Sequence, residues 1–195
     1  VECPEAAPRY AGVTVRGCKI GPSPEWMQNC LRAAGINPKN NLVDITNFVL
    51  FELGQPLHAF DAAKFDGGRI VVRTCEEGTP FITLDGVERK LVFIESAYFN
   101  PVWVRKTAKR FGLNTDSSFR FERGVDPDIQ VYALKRAALL MKELAGGEIS
   151  SDISDFYPAP IGDFVFDVSL RRVNMLIGKE IPEQTVRTIL GALEV

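Results

Sequence analysis

The chain carries a single histidine, His58, in the run Gln55-Pro56-Leu57-His58-Ala59-Phe60-Asp61, just after a glycine that reads as a helix stop. A neutral imidazole can orient a water or an ester, as general base or hydrogen-bond partner. It can equally be a loop histidine bonded to a backbone carbonyl. The residue alone leaves both readings open. One histidine cannot build a multi-histidine metal site, and nothing nearby supplies other ligands at familiar spacing. A serine nucleophile would need a strained Gly-x-Ser-x-Gly elbow, which is absent. Thr46 and Asn47 precede the histidine inside an otherwise apolar stretch. Such side chains compete for backbone hydrogen bonds in a helix, so two in a row invite a reason. Either they face solvent or bond back to the preceding turn, or they serve a site. Glu95 follows Val92-Phe93-Ile94, at the end of a hydrophobic run. A carboxylate there is solvated, caps the helix that follows, or accepts a hydrogen bond from a bound phenolic hydroxyl. The segment NTDSSFRFERGVDP is dense in polar groups. Arg120, Glu122, Arg123 and Asp126 suit an ion-pair network at a helix start, with contact to RNA phosphate as the weaker alternative for the arginines.

These residues need elements to hold them. Tyr10 to Ile20 alternates as a strand does. Ser23-Pro24-Glu25 opens a helix with a hydroxyl cap, and Trp26, Met27, Cys30, Leu31 and Ala34 fall on one face before Gly35. Asp44 to Leu53 reads as a short helix with Ile45, Phe48, Val49 and Leu53 inward and Gly54 as its stop, although Val43 and Ile45 also suit a strand. Ile70–Arg73 and Phe81–Leu84 look like strands, with Asp85-Gly86 marking a hairpin turn. Asn100-Pro101 starts a helix carrying Trp103, Val104, Thr107, Ala108 and Phe111, stopped at Gly112. Asp126-Pro127 starts the clearest one, whose stripe is Tyr132, Ala133, Ala137, Leu140, Met141 and Leu144. Tyr157-Pro158-Ala159-Pro160 reads as a linker, followed by a strand (Phe164 to Val168), a capped helix from Ser169 and another from Pro182. That tail is too short to bury a core, so it reads as the first piece of a truncated domain. Hairpins mixed with helices, without regular strand–helix alternation, give an α+β class.

The 195 residues carry a net charge of −2, against a stand-alone tight RNA binder but compatible with a site that receives only the end of an RNA held elsewhere. Cys3, Cys18, Cys30 and Cys75 form no Cys-x-x-Cys pair, which fits reduced thiols in a soluble cytoplasmic protein. No run is long and apolar enough for a bilayer, and the start lacks a signal-peptide layout.

Four blocks carry a resemblance: VDITNFVLFELGQPLHAFD (43–61), TLDGVERKL (83–91), FIESAYFNPVWVRKTAKRFGL (93–113) and NTDSSFRFERGVDP (114–127). In this order they resemble the tRNA-editing region of the bacterial-type phenylalanyl-tRNA synthetase beta subunit, over the chain from about Ser23 to Gly147. The tail SLRRVNMLIGKEIPEQTVRTILGALEV is similar to the opening of the family's next domain. The resemblance implies a three-layer module with a β-sandwich of unusual topology flanked by helices, residues 1–158 being the editing module and 159–195 the truncated start of the next domain. By position, Thr46, Asn47 and His58 match residues near the ester and the attacking water. Glu95 matches the residue that recognises the tyrosine hydroxyl, and Thr115 and Ser117 match positions lining the pocket.

The implied activity is hydrolysis of tyrosine wrongly attached to tRNA(Phe), the substrate being the 3′ end of that tRNA. The implied partner is the alpha subunit, in an alpha2beta2 heterotetramer. No cofactor is implied for this region, since ATP and Mg²⁺ serve amino-acid activation by the whole synthetase. The alternative is a non-catalytic module supporting the tRNA or subunit assembly. Two departures stand out. Many members have alanine where this chain has Ser117. The family also carries a further segment, partly Gly-rich and lining the pocket, between positions matching Leu91 and Phe93, whereas here ERKL runs straight into VFIES.

Overall fold

A computed structural model describes residues 1–74 and 91–193. The chain divides into two units, Val1–Pro160 and Ile161–Val195. In the first, β1 (Arg9–Arg16) is followed by helices α1 (Glu25–Ala33) and α2 (Asn41–Leu53), then β2 (Leu57–Asp61) and two short 3₁₀ turns. After them come β3 (Leu91–Tyr98), α3 (Pro101–Phe111), α4 (Asp116–Phe121), α5 (Gln130–Ala145) and the short strands β4 (Glu148–Ile149) and β5 (Ser154–Phe156). β3 lies between β2 and β1, and β1 carries both β4 and β5 on its other edge, all antiparallel. The class is α+β, as expected. The strands among the described residues form one open sheet.

The period of two along each strand divides the sheet into a core face and an outer face. Ala11, Val13 and Val15 of β1, Val92 and Ile94 of β3 and Leu57 of β2 join one buried cluster. Ile45 and Val49 of α2, Met27 and Leu31 of α1, and Ala133, Leu134, Ala137 and Met141 of α5 complete it. α2 starts where Asn40 accepts hydrogen bonds from the amides of Leu42 and Val43 (both 3.1 Å) and stops at Gly54, whose φ of +73° a side chain would disfavour. That stop turns the chain straight into β2.

Several expectations need correction. Ser23 does not cap α1; buried, it donates instead to Asp44 Oδ2 at 2.6 Å, because a charged acceptor is the stronger partner. Trp26 and Tyr132 lie outside the buried stripes of their helices, at 46% and 61% exposure, since the narrow buried faces are filled by Met27 and Leu31 in α1 and by the alanines of α5. Ile70–Arg73 is not a strand; the Val72 carbonyl accepts the Glu2 amide at 2.8 Å, and no ladder forms there among the described residues. Phe81–Leu84 and Asp85-Gly86, which would have paired with it, lie outside the described residues, as does Cys75. His58 and Glu95 both stand inside strands, β2 and β3, rather than in a loop or at the close of a hydrophobic run.

In the second unit, α6 (Leu170–Ile177) and α7 (Glu183–Ala192) form as expected, but Ser169 makes no side-chain cap bond. Phe164–Val168 is no strand, for it has no partner strand among the described residues of its own unit, and Phe164, Val165 and Phe166 are exposed. No helix among the described residues is long and apolar enough to cross a membrane.

Candidate functional site

The outer face of the sheet is where polar chemistry collects. In register, Gly12 of β1, Glu95 of β3 and His58 of β2 stand in one row across three strands. Directly opposed residues of antiparallel strands share a face, so Tyr10, Gly12, Phe93, Glu95, His58 and Phe60 all lie away from the core. Gly12 has no side chain, and the Phe93 ring uses that space: a Cβ at position 12 would sit 2.1 Å from Phe93 Cζ. The aromatic wall continues through Phe65, edge-on to Phe93 at 6.0 Å, and Phe60, whose ring centre is 6.3 Å from Phe65 and 6.2 Å from His58.

Set in this surroundings, the Glu95 side chain is only 11% exposed. Its Oε1 accepts from His58 Nδ1 at 3.2 Å, and its Oε2 accepts the Tyr10 hydroxyl at 2.7 Å. An ionised carboxylate only accepts, so His58 carries hydrogen on Nδ1; the neutral ring then presents Nε2 as a lone pair. Burial lowers the His58 pKa, but the hydrogen bond and charge of Glu95 outweigh it, and the net shift is upward from 6.5. Burial, then the charge and hydrogen bond of Glu95, push the Tyr10 phenol far up, so it remains a donor through the neutral range. A carboxylate offers about four lone-pair positions. Two are engaged here, and the rest can meet a further donor.

The structure therefore brings His58 and Glu95 together. The other expected site residues are placed differently. The buried Thr46 hydroxyl donates to the Val43 carbonyl at 2.8 Å, the bond back to the preceding turn. Asn47, half-buried, makes no side-chain hydrogen bond among the described residues. Thr115 caps α4, accepting the Ser118 amide at 3.0 Å in a reciprocal capping box, and Ser117 lies half-buried in the first turn. Thr115 also lines a separate cavity of about 350 Å³ with Cys3, Ala7, Trp103, Leu113 and Ser118, whose walls include neither His58 nor Glu95. The expected arginine network is local: Arg123 pairs with Glu122 at 2.6 Å, Arg120 with Asp116 at 3.7 Å, and Asp126 caps the turn at Asp128.

Tyr10 and Gly12 were missed by sequence reasoning. Gly12 left a signal, since glycine inside a strand often marks close approach of another group. Tyr10 left none, because its role exists only once β1 is registered on β3. Beneath the site, Gln55 fixes the start of β2: fully buried, it donates to the Ala97 carbonyl at 2.9 Å and accepts from Gln130 at 3.2 Å. Arg9 anchors the end of β1 through a two-pronged pair with Asp155 (3.1 and 2.7 Å) and a bond to the Pro127 carbonyl at 2.8 Å.

Compared with known proteins, the chain matches the B3/4 domain family over residues 6–92 and 90–146. It is similar to the phenylalanine–tRNA ligase beta subunit of Bacteroides fragilis strain YCH46, 52% identical across all of this chain and 28% of the relative. The same subunit of Porphyromonas gingivalis is 47% identical over 97% of this chain and 27% of the relative, and that of Geobacter sulfurreducens 41% over 100% and 28%. The chain thus spans little more than a quarter of the length of these relatives. The Bacteroides alignment covers 227 positions against 195 residues here, so 32 positions of the relative face no residue of this chain. The family match breaks and resumes at residues 90–92, which is the junction between ERKL and VFIES and lies at the start of β3.

Proposed function

The chain belongs to the B3/4 domain family, and we propose that it is the proofreading region of a phenylalanine–tRNA ligase beta subunit, hydrolysing tyrosyl-tRNA(Phe). The observation that carries this reading is the contact of buried Glu95 with the His58 imidazole on one oxygen and with a phenol hydroxyl, that of Tyr10, on the other. A carboxylate in an aromatic-walled recess discriminates by the same contact. A tyrosyl ester presents a hydroxyl to its free lone pairs; a phenylalanyl ester takes their solvent away and returns nothing. An unmet charged acceptor costs about 1 to 3 kcal/mol, a tenfold to hundredfold difference. Such a second sieve is needed because an apolar pocket rejects an added hydroxyl by only about a hundredfold.

In the proposed reaction, water gives a proton to His58 Nε2 as its oxygen bonds to the ester carbonyl carbon, and the tetrahedral intermediate breaks its bond to the ribose oxygen, which leaves as the hydroxyl by taking that proton from the imidazolium. Glu95 keeps the imidazole in the tautomer that leaves Nε2 free, as a carboxylate does for a catalytic histidine elsewhere. No covalent acyl-enzyme forms. Asn47, with its unengaged amide, is the second candidate to hold the water, and Thr46, Thr115 and Ser117 are proposed as surrounding positions. The alpha subunit and the tRNA(Phe) 3′ end are the proposed partners.

The test offers tyrosyl- and phenylalanyl-tRNA(Phe) to the intact synthetase and to its Glu95→Ala variant. Loss of tyrosyl-ester hydrolysis, or its spread to the phenylalanyl ester, is expected; unchanged rates and selectivity overturn the assignment. A second reading, a module that holds tRNA or the alpha subunit without hydrolysis, is favoured by one observation: the family match breaks and resumes at residues 90–92, just before Glu95 on the same strand. Absence of tyrosyl-ester turnover by the synthetase whose beta subunit runs directly from Leu91 to Val92 would establish that reading.

A further inference from the structure

Glu95 already holds a phenol from its own chain. Tyr10 pairs with Ala97, one side-chain position along the outer face from the Gly12–Glu95 pair. On β1 the residue directly opposite Glu95 is a glycine, so the diagonal neighbour reaches the carboxylate instead; diagonal pairs lie within the span of long aromatic side chains. At 2.7 Å the Tyr10 bond is the shorter of the two that Glu95 accepts, and it falls on the oxygen that His58 does not use. A glutamate side chain has three rotatable bonds and selects nothing unless its plane is held. Here each oxygen is held by a different strand: Oε1 from β2, Oε2 from β1.

We propose that Tyr10 is a positioning residue for substrate selection, clamping Glu95 through Oε2 so that the lone pairs left by Tyr10 and His58 are the ones offered to the hydroxyl of a phenolic substrate. This rests on the editing reading above. It assigns tyrosine selectivity to three residues on three strands rather than to a single carboxylate. It also gives the strand glycine a purpose, since a side chain at position 12 would collide with Phe93 beside this clamp.

Because the chain has one histidine, ring NMR of His58 reports on Glu95 without interference. Removing the Tyr10 hydroxyl leaves Glu95 a less satisfied and stronger acceptor, so Tyr10→Phe raises the His58 titration midpoint. Placing 3-fluorotyrosine at position 10, a stronger donor of nearly the same shape, lowers it. A midpoint unmoved by both replacements overturns the inference, whatever the enzyme does. In the intact synthetase, Tyr10→Phe is expected to raise KM for the tyrosyl ester roughly tenfold, the lower end expected for a hydrogen bond to a charged group. Compared well above the His58 midpoint, where the imidazole is neutral in both proteins, the loss falls on the tyrosyl ester and its KM far more than on the phenylalanyl ester, whereas a merely structural role would move both esters together. Equal loss on both esters overturns the positioning role. No hydrolysis by the unaltered enzyme overturns the editing reading and the selectivity claim with it, while the two NMR shifts still decide whether the clamp exists.

Discussion

Replacing His58 and Glu95 by glutamine, singly and together, isolates the free energy of their contact and its dependence on pH. At 3.2 Å, unit charges interact by about 1.3 kcal/mol in water and about 5 kcal/mol at an effective dielectric near 20. The His58 side chain is 43% exposed, which places the pair near the solvent-screened end, so a coupling of about 1 kcal/mol is expected. The sign follows from the direction of the His58 shift. Its folded-state pKa is raised, with burial opposing and Glu95 prevailing, so the folded chain binds the proton more tightly than the unfolded one. The stabilisation is therefore complete below the unfolded value near 6.5 and is lost as pH climbs through the raised folded value. Urea unfolding of the four proteins at about pH 5 and about pH 9 should give a coupling near 1 kcal/mol at the lower pH and a clearly smaller one at the higher. Equal coupling at both, or a coupling that grows with pH, would refute the charged contact on which the site's electrostatics are built.

Three further outcomes are expected. Gly12→Ala drives a methyl into the Phe93 ring and should destabilise the chain by about 1 to 3 kcal/mol, visible as a lower denaturation midpoint together with a changed His58 chemical shift. Arg9→Lys replaces a two-pronged partner of Asp155 with a point charge that cannot also reach the Pro127 carbonyl; calorimetry should find about 1.5 to 3 kcal/mol lost. Gln55→Ala deprives the Ala97 carbonyl and Gln130 of a buried partner and should cost about 1 to 3 kcal/mol, with amide exchange quickening in β2 and at the start of α5.

Local chemistry made much of this protein legible before its structure. Asn100-Pro101 and Gly112 bound α3 and Gly54 ends α2, because caps and left-handed stops act within one turn of the residues that make them. The four motif blocks carried the family resemblance in the same way, since matching strings needs no folding. Side-chain direction was less legible. Periodicity placed Trp26 and Tyr132 inward, yet how wide a stripe each helix buries depends on what packs against it. The candidate site was the least legible part. His58 and Glu95 are 37 residues apart, and only the register of β2 on β3 sets them side by side. Tyr10 meets Glu95 across 85 residues through a second register, of β1 on β3. Sequence alone determines which groups are available and where helices begin and end. Which of those groups share a face is decided by strand pairing, where a slip of a single residue would turn Glu95 from the outer recess into the apolar core.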